Sequence, residues 1–308
     1  MTDRAGHKEM RPSDHDERVG RARVALEGVA VGDAFGELFF DRYNREVLMP
    51  RRALPDGPWP YTDDTAMAMS IVDVLTDRGR IDQDELAARF AERFVAQPGR
   101  GYGPGTFALL MAIARGADWR GAARSMFGGQ GSWGNGSAMR VAPVGGYFAD
   151  DPAEAARQAR ASAAVTHAHG EGQAGAIAVG VAAAMAWQLR NADDADRGAV
   201  LIDAAIEHTP ESEVHAGLRK AAKLDTDRTD RAAAVLGSGT RISCPDTVPF
   251  CIWCAARHLD SFAEALWATA SGLGDVDTTC AIVGGIVALA TGIKGIPPEW
   301  LARREDLQ

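Results

Sequence analysis

An all-α fold is what this chain predicts, on three observations. Helix-start signals recur along it, each a small polar or acidic residue placed three positions ahead of an acid. Apolar residues return at the three- and four-residue spacing of a helix face. Alternating β-branched or aromatic runs of strand length are nearly absent. The pattern implies on the order of a dozen helices, with glycine-rich loops carrying the unusual sequences.

The elements follow in order. Residues Met1 to Arg18 are polar and mixed in charge, without an apolar stretch, and read as a disordered leader rather than a signal peptide. The remaining 19–308 form one domain, because no linker, charge block or internal repeat divides them. A helix over Ala66 to Leu75 follows the run Thr62-Asp63-Asp64-Thr65. Asp82 and Glu85 box the start of a helix through Leu86–Val95. Asp151-Pro152-Ala153-Glu154 supplies a cap, a proline at the first helical position and an acid at the third. Ser261 with Glu264 repeats the signal before Ala265–Thr269, and Thr279 to Ala290 follows a second acidic run. The longest apolar runs, Ala174–Trp187 and Cys280–Leu289, fall short of the ~20 residues that span a bilayer. Their glycine and alanine suit close helix packing.

Composition excludes some functions. With 308 residues, 46% of them hydrophobic, the chain buries a substantial core. A net charge of −9 argues against general nucleic-acid binding, which needs a basic surface. Three of four cysteines, Cys244, Cys251 and Cys254, are bunched and form no secreted disulfide framework. Cys251, Cys254 and His258 share a helix face, but zinc wants four ligands and the segment is apolar, so buried core thiols are expected. A soluble cytoplasmic protein without membrane contact is the expectation.

Two acidic knots carry the chemistry: Thr62-Asp63-Asp64-Thr65 and Gly274-Asp275-Val276-Asp277-Thr278. Neither contains a Lys or Arg to relieve the repulsion within it. Neighbouring helical residues point ~100° apart, so these pairs converge only at a helix entry or in a loop. One reading is plain N-capping with acids in the first turn. The other joins both knots around bound cations: carboxylates and hydroxyls are hard donors that suit Mg²⁺, Mn²⁺ or Ca²⁺. Diverging carboxylates favour two neighbouring ions over one.

A third segment, Gly128 to Arg140, holds five glycines within nine residues. If a helix starts near Ser137, its N-terminus and the exposed amides make an anion site suited to a pyrophosphate; a plain glycine turn is the alternative. Phe127 and Trp133 bracket the loop, either to stack a flat base or as satellite core residues. His167, in Thr166-His167-Ala168-His169, either bonds a phosphate or ribose or caps a helix.

These pieces, together with Gly28-Val29-Ala30-Val31-Gly32-Asp33-Ala34-Phe35-Gly36 and the run Gly134 to Pro143, resemble the ADP-ribosylglycohydrolase family in order and spacing. The resemblance spans nearly the whole chain. It implies a single compact many-helix fold with a dinuclear cleft holding two Mg²⁺ or Mn²⁺. Thr62, Asp63 and Asp64 would hold the metals from one side; Asp275, Asp277 and Thr278 would hold them from the other. Ser132, Gly134, Asn135, Gly136, Ser137 and Met139 would cradle the diphosphate and proximal ribose. Phe127 and Trp133 would sandwich the adenine, and His167 would touch the ADP-ribose. The implied activity is hydrolysis of the glycosidic bond between ADP-ribose and a protein or small-molecule acceptor. Its catalytic carboxylates would be Asp64, Asp275 and Glu37.

Two departures stand out. Relatives place a Glu where this chain has Phe40, leaving Glu37 and Asp41 as nearest acids. Phe94 to Ala117 contains no acid, where arginine-directed members carry one, so serine-linked, O-acetyl and small-molecule conjugates stay open. A non-catalytic binding relative and a two-metal phosphohydrolase are the competing readings.

Overall fold

A computed structural model of the chain describes residues 12–192 and 196–307. Fifteen α-helices and no strand occur among them. In chain order they are α1 (His15–Glu37), α2 (Asp63–Arg78), α3 (Gln83–Ala96), α4 (Pro104–Ala114) and α5 (Trp119–Gly129). Then come α6 (Ala142–Tyr147), α7 (Pro152–Ala164), α8 (Gly170–Gln188), α9 (Arg197–His208) and α10 (Glu213–Lys223). The last five are α11 (Thr229–Leu236), α12 (Cys244–Arg257), α13 (Phe262–Ser271), α14 (Val276–Thr291) and α15 (Pro298–Arg303).

The expected caps hold their helices. Asp82 accepts from the Glu85 amide, Asp151 from Glu154 and Ser261 from Glu264, each satisfying a donor that the helix itself leaves unpaired. The first helix begins inside the span expected to be a leader. His15 to Arg18 already form the first turn of α1, where His15 Nδ1 meets the Tyr147 hydroxyl at 2.7 Å; residues 1–11 lie outside the described residues.

Two buried helices, α1 and α14, form the spine, and glycine lets them touch backbone to backbone. A Cβ added at Gly28 would lie 2.3 Å from the Gly284 carbonyl oxygen, one at Gly32 2.1 Å from that of Cys280, and one at Gly36 2.4 Å from that of Val276. The four-residue spacing puts all three on one face of α1. A methyl group there would force the helices apart, at a cost of about 1–3 kcal/mol or more. This contact sets the end of α1, with Asp33 and Glu37, against the start of α14, with Asp277.

The apolar helix α8 is longer than its sequence run suggests. With a following 3₁₀ turn it covers 22 residues and contains an 18-residue stretch of mean hydropathy 1.2, enough by length and composition to cross a bilayer, but 72% of that stretch is buried. It packs against α6, α7, α12 and α14 and is a central core helix. The four cysteines are all free and buried, as expected for core thiols.

Candidate functional site: an acid-lined cleft

The site begins at a carboxylate the sequence reading named only as part of a motif. Asp33, on α1 and 0% exposed, accepts four hydrogen bonds from the entry to α2. They come from the Thr62 amide (2.9 Å) and hydroxyl (2.9 Å), and from the Thr65 amide (3.1 Å) and hydroxyl (2.5 Å). Burial pushes the Asp33 carboxyl up, and these four donors pull it back. Asp33 therefore clamps the first knot to the spine.

That clamp presents the next two residues. Thr62 caps α2, and Asp63 and Asp64 occupy its first turn, where the helix dipole favours negative charge. Asp64 Oδ2 lies 3.1 Å from the Thr62 hydroxyl, which also faces Asp33, while its buried Oδ1 has no hydrogen-bond partner among the described residues. From the other side, Asp275 stands at the N-cap position of α14 without making the capping bond. Its Oδ2 instead accepts from the Asn135 side chain at 2.7 Å. Capping alone thus explains neither Asp64 nor Asp275.

The two knots share one cleft of about 380 Å³, lined by Asp63, Asp64, Asp275, Asp277 and Thr278 together with the glycine loop, Phe127, Trp133 and His167. Mutual repulsion in this space is large. Burial first, then Asp33, Asp277, Asp63 and Asp275, raise the Asp64 carboxyl well above the carboxylate range. Asp63 is pushed up to about 7 by burial and then by Asp33 and Asp275, with the Arg140 guanidinium opposing. Asp277 rises through burial and then Asp275, Asp33 and Glu37; Asp275 rises through burial, against the bond from Asn135.

A hard cation fits this donor set. All the donors are oxygen, and Asp64 Oδ1 is an orphaned acceptor that a cation would satisfy. Among the described residues no three His, Cys, Asp or Glu side chains already converge to hold an ion by themselves. A bound cation would draw the carboxylates together or share its sphere with water and substrate oxygens.

The glycine loop forms the rest of the cleft, and of its two readings the turn is the one present. No α-helix starts near Ser137: Asn135–Ser137 is a single 3₁₀ turn, and α6 begins only at Ala142. Pro143 marks why, since proline suits the first turn of a helix that starts just before it. Any anion binding there rests on loop amides rather than a helix N-terminus. Ser132 and Ser137 are buried, the Ser132 hydroxyl accepting from the Gly134 amide at 3.2 Å and the Ser137 hydroxyl donating to the Gly172 carbonyl at 2.7 Å. Met139 is buried at the cleft floor.

Phe127 and Trp133 are not core residues; they are 61% and 53% exposed and line the cleft. Phe127 sits at φ +52°, a left-handed conformation that costs a bulky residue energy and is typical of sites held by their surroundings. Trp133 meets His169 edge to face at 5.6 Å.

The two histidines divide the roles expected of one. His169 caps α8, accepting from the Glu171 amide at 3.1 Å. His167 is buried, its Nδ1 is 2.7 Å from the Thr166 hydroxyl, and its Nε2 lies against Gly134 and Gly136. Burial, aided by the nearby Arg140 charge, lowers it to about 3, so it stays neutral. Arg140 is itself wholly buried, donating to Thr166 Oγ1 at 2.8 Å and to the Ser162 carbonyl at 3.3 Å, with the Phe90 ring 4.5 Å away.

Sequence reasoning also passed over Arg241 and Ile242, which line the cleft from the α11–α12 connection; no motif flagged them. Glu37 falls outside the residues lining the cleft. It is half-buried at the end of α1 and raised by burial and by Asp33.

Fold and cleft together describe an all-helical protein whose acid-lined cleft opens beside a glycine-rich loop. Residues 14–308 match the model of the ADP-ribosylglycohydrolase family, and the chain belongs to that family. The chain is similar to the ADP-ribosylhydrolase ARH3 of Homo sapiens, at 30% identity over 92% of this chain and 88% of that protein. It is similar to the ADP-ribosylarginine hydrolase Tri1 of Pseudomonas putida (strain GB-1), at 28% identity over 94% of this chain and 75% of that protein. A solved structure described as an ADP-ribosylglycohydrolase-related protein complex shares the fold, with TM-score 0.63 and 24% identity over 94% of each chain.

Proposed function

We propose that the protein hydrolyses the glycosidic bond between ADP-ribose and an acceptor, in a reaction that depends on divalent cations. The observation that carries this is the sharing of one cleft by four acidic residues and a glycine loop flanked by exposed aromatics. Asp63, Asp64, Asp275 and Asp277 would hold the cations, with Thr62 and Thr278 beside them. Bound there, Mg²⁺ or Mn²⁺ would supply positive charge to grip the vicinal hydroxyls of the distal ribose and offset charge in the transition state.

The chain's own groups do the rest. Asn135 orients Asp275, and Thr62 orients Asp64. Trp133 and Phe127 stack the adenine, and the loop amides from Ser132 to Gly136 meet the diphosphate. His167, neutral, offers a ring nitrogen to a ribose or phosphate oxygen. Water adds at the anomeric carbon as oxocarbenium character develops, and the acceptor leaves with a proton. Asp64 and Asp275 are the carboxylates in the cleft that can move that proton.

The acceptor we favour is hydroxyl-linked. Gly101, Gly103 and the first residues of α4, Pro104, Gly105 and Thr106, line the cleft, and none of them carries a carboxylate to pair with an arginine guanidinium. The test is release of free ADP-ribose from peptides carrying it on serine or on arginine, with Mg²⁺ and with EDTA. Metal-dependent release from the serine peptide is expected. A phosphate-containing fragment in place of intact ADP-ribose would sink the reading in favour of a phosphohydrolase.

A further inference from the structure

We infer that Arg241 is a phosphate-binding residue of this cleft, gripping the ligand's diphosphate with the two terminal nitrogens of its guanidinium. The inference rests on the ADP-ribose reading and adds a cationic contact that the sequence motifs do not contain.

Arg241 lies in the connection between α11 and α12, and that connection is fixed at both acidic and aromatic sides of the cleft. The Ser238 carbonyl accepts from the Asp275 amide at 3.1 Å, and the Cys244 amide donates to the Trp133 carbonyl at 3.0 Å. Within it, the Gly239 amide donates to the Asp246 carbonyl at 2.9 Å and the Ile242 amide to the Gly239 carbonyl at 2.7 Å. A Cβ at Gly239 would fall 2.5 Å from the Asp275 Cβ. Ile242 is held at φ +50°, a conformation a β-branched residue adopts only when its surroundings over-determine it. The segment is therefore a built wall.

The side chain is anchored to match. Asp246, 6% exposed, accepts from the Arg241 amide at 2.8 Å and from Nε at 3.1 Å. Both terminal nitrogens are left without a protein hydrogen bond among the described residues, on a side chain 77% exposed. An exposed arginine usually roams; this one is tethered at its root and at Nε, with its fork open. Among the described residues lining the cleft, Arg241 is the only Lys or Arg. A planar fork matches the paired oxygens of a phosphate, and pre-anchoring reduces the entropy lost on binding.

The experiment is calorimetric titration of the full chain in Mg²⁺ with ADP-ribose and, at millimolar levels, with adenosine, which lacks the phosphates. Arg241→Ala should weaken ADP-ribose about tenfold, the scale of one charge-assisted hydrogen bond in a solvated site, and leave adenosine unchanged. Arg241→Lys, which keeps the charge without the fork, should fall between. Unchanged ADP-ribose affinity in the alanine variant would overturn the assignment, as would an equal loss for both ligands. Failure of the wild-type chain to bind ADP-ribose would instead remove the proposed function, and this inference with it.

Discussion

The Asn135 side chain donates to Asp275 Oδ2 at 2.7 Å across 140 positions of sequence, and it also donates to Thr247 Oγ1 at 3.1 Å. One neutral amide thus ties the glycine loop to the second acidic knot. It holds Asp275 in a fixed rotamer without adding charge to a cleft already crowded with it. Outer-shell bonds of this kind orient ligands that would otherwise swing.

Removing that bond should damage the site without unfolding the chain. Asn135→Ala is expected to lower the turnover of an ADP-ribosylated peptide, and the Mg²⁺ affinity, by about 10–100-fold. Helical content by circular dichroism should stay at the wild-type value. Full activity in Asn135→Ala would show that Asp275 needs no outside support.

The acidic cleft should be a stability liability until cations fill it. Mg²⁺ or Mn²⁺ is expected to raise the melting temperature of the wild-type chain, and EDTA to lower it. Asp64→Asn removes one buried acid and the repulsion that its ionised form meets from Asp33, Asp277, Asp63 and Asp275. Free of metal, the variant should be more stable than metal-free wild type by about 1–3 kcal/mol, and it should lose most of the cation-induced gain. Scanning calorimetry reads both; a metal-free variant less stable than wild type contradicts the repulsion argument.

Trp133 is half exposed and stacks nothing in the core, so its role should show in binding alone. Trp133→Ala should weaken ADP-ribose by about 1–3 kcal/mol and change folding stability by less than about 0.5 kcal/mol. Equal affinities by calorimetry would remove Trp133 from the adenine site.

His167 gives the acid limb of stability a predictable slope. The imidazole is held down to about 3, largely by burial, whereas an unfolded histidine titrates near ~6.5. As pH falls below that value the unfolded chain takes a proton that the folded chain refuses, so stability falls until the folded value is reached. His167→Gln should flatten this part of the curve. A two-dimensional NMR titration should find His167 neutral at pH values where exposed histidines are already charged; a normal midpoint would refute the assignment.

Much of this architecture was legible because its signals are local. Asp82, Asp151 and Ser261 announce their helices within four residues, and the acidic knots announce themselves by charge without compensation. What escaped depends on partners far away in the chain. Asp33 reads as one more polar residue in a glycine-rich helix until Thr62 and Thr65 are seen to close on it. Arg241 reads as a surface arginine until Asp246 and the cleft are placed around it. Of the two readings left open at Ser137, the structure has the turn and not the helix start: only a 3₁₀ turn forms before α6. Glu37 is named only as an acid near Phe40, where relatives carry a Glu, and nearness in the chain says little about where the end of α1 opens.

The bare backbone contact between α1 and α14 also limits how the gene can drift. At Gly28, Gly32, Gly36 and Gly284 every amino-acid replacement adds atoms where a carbonyl oxygen already lies within 2.4 Å of the new carbon. Nucleotide changes in these four codons should therefore persist only when silent. Codons on the outward side of α1, such as those for Gly20 and Arg23, face no such restriction and are free to diversify.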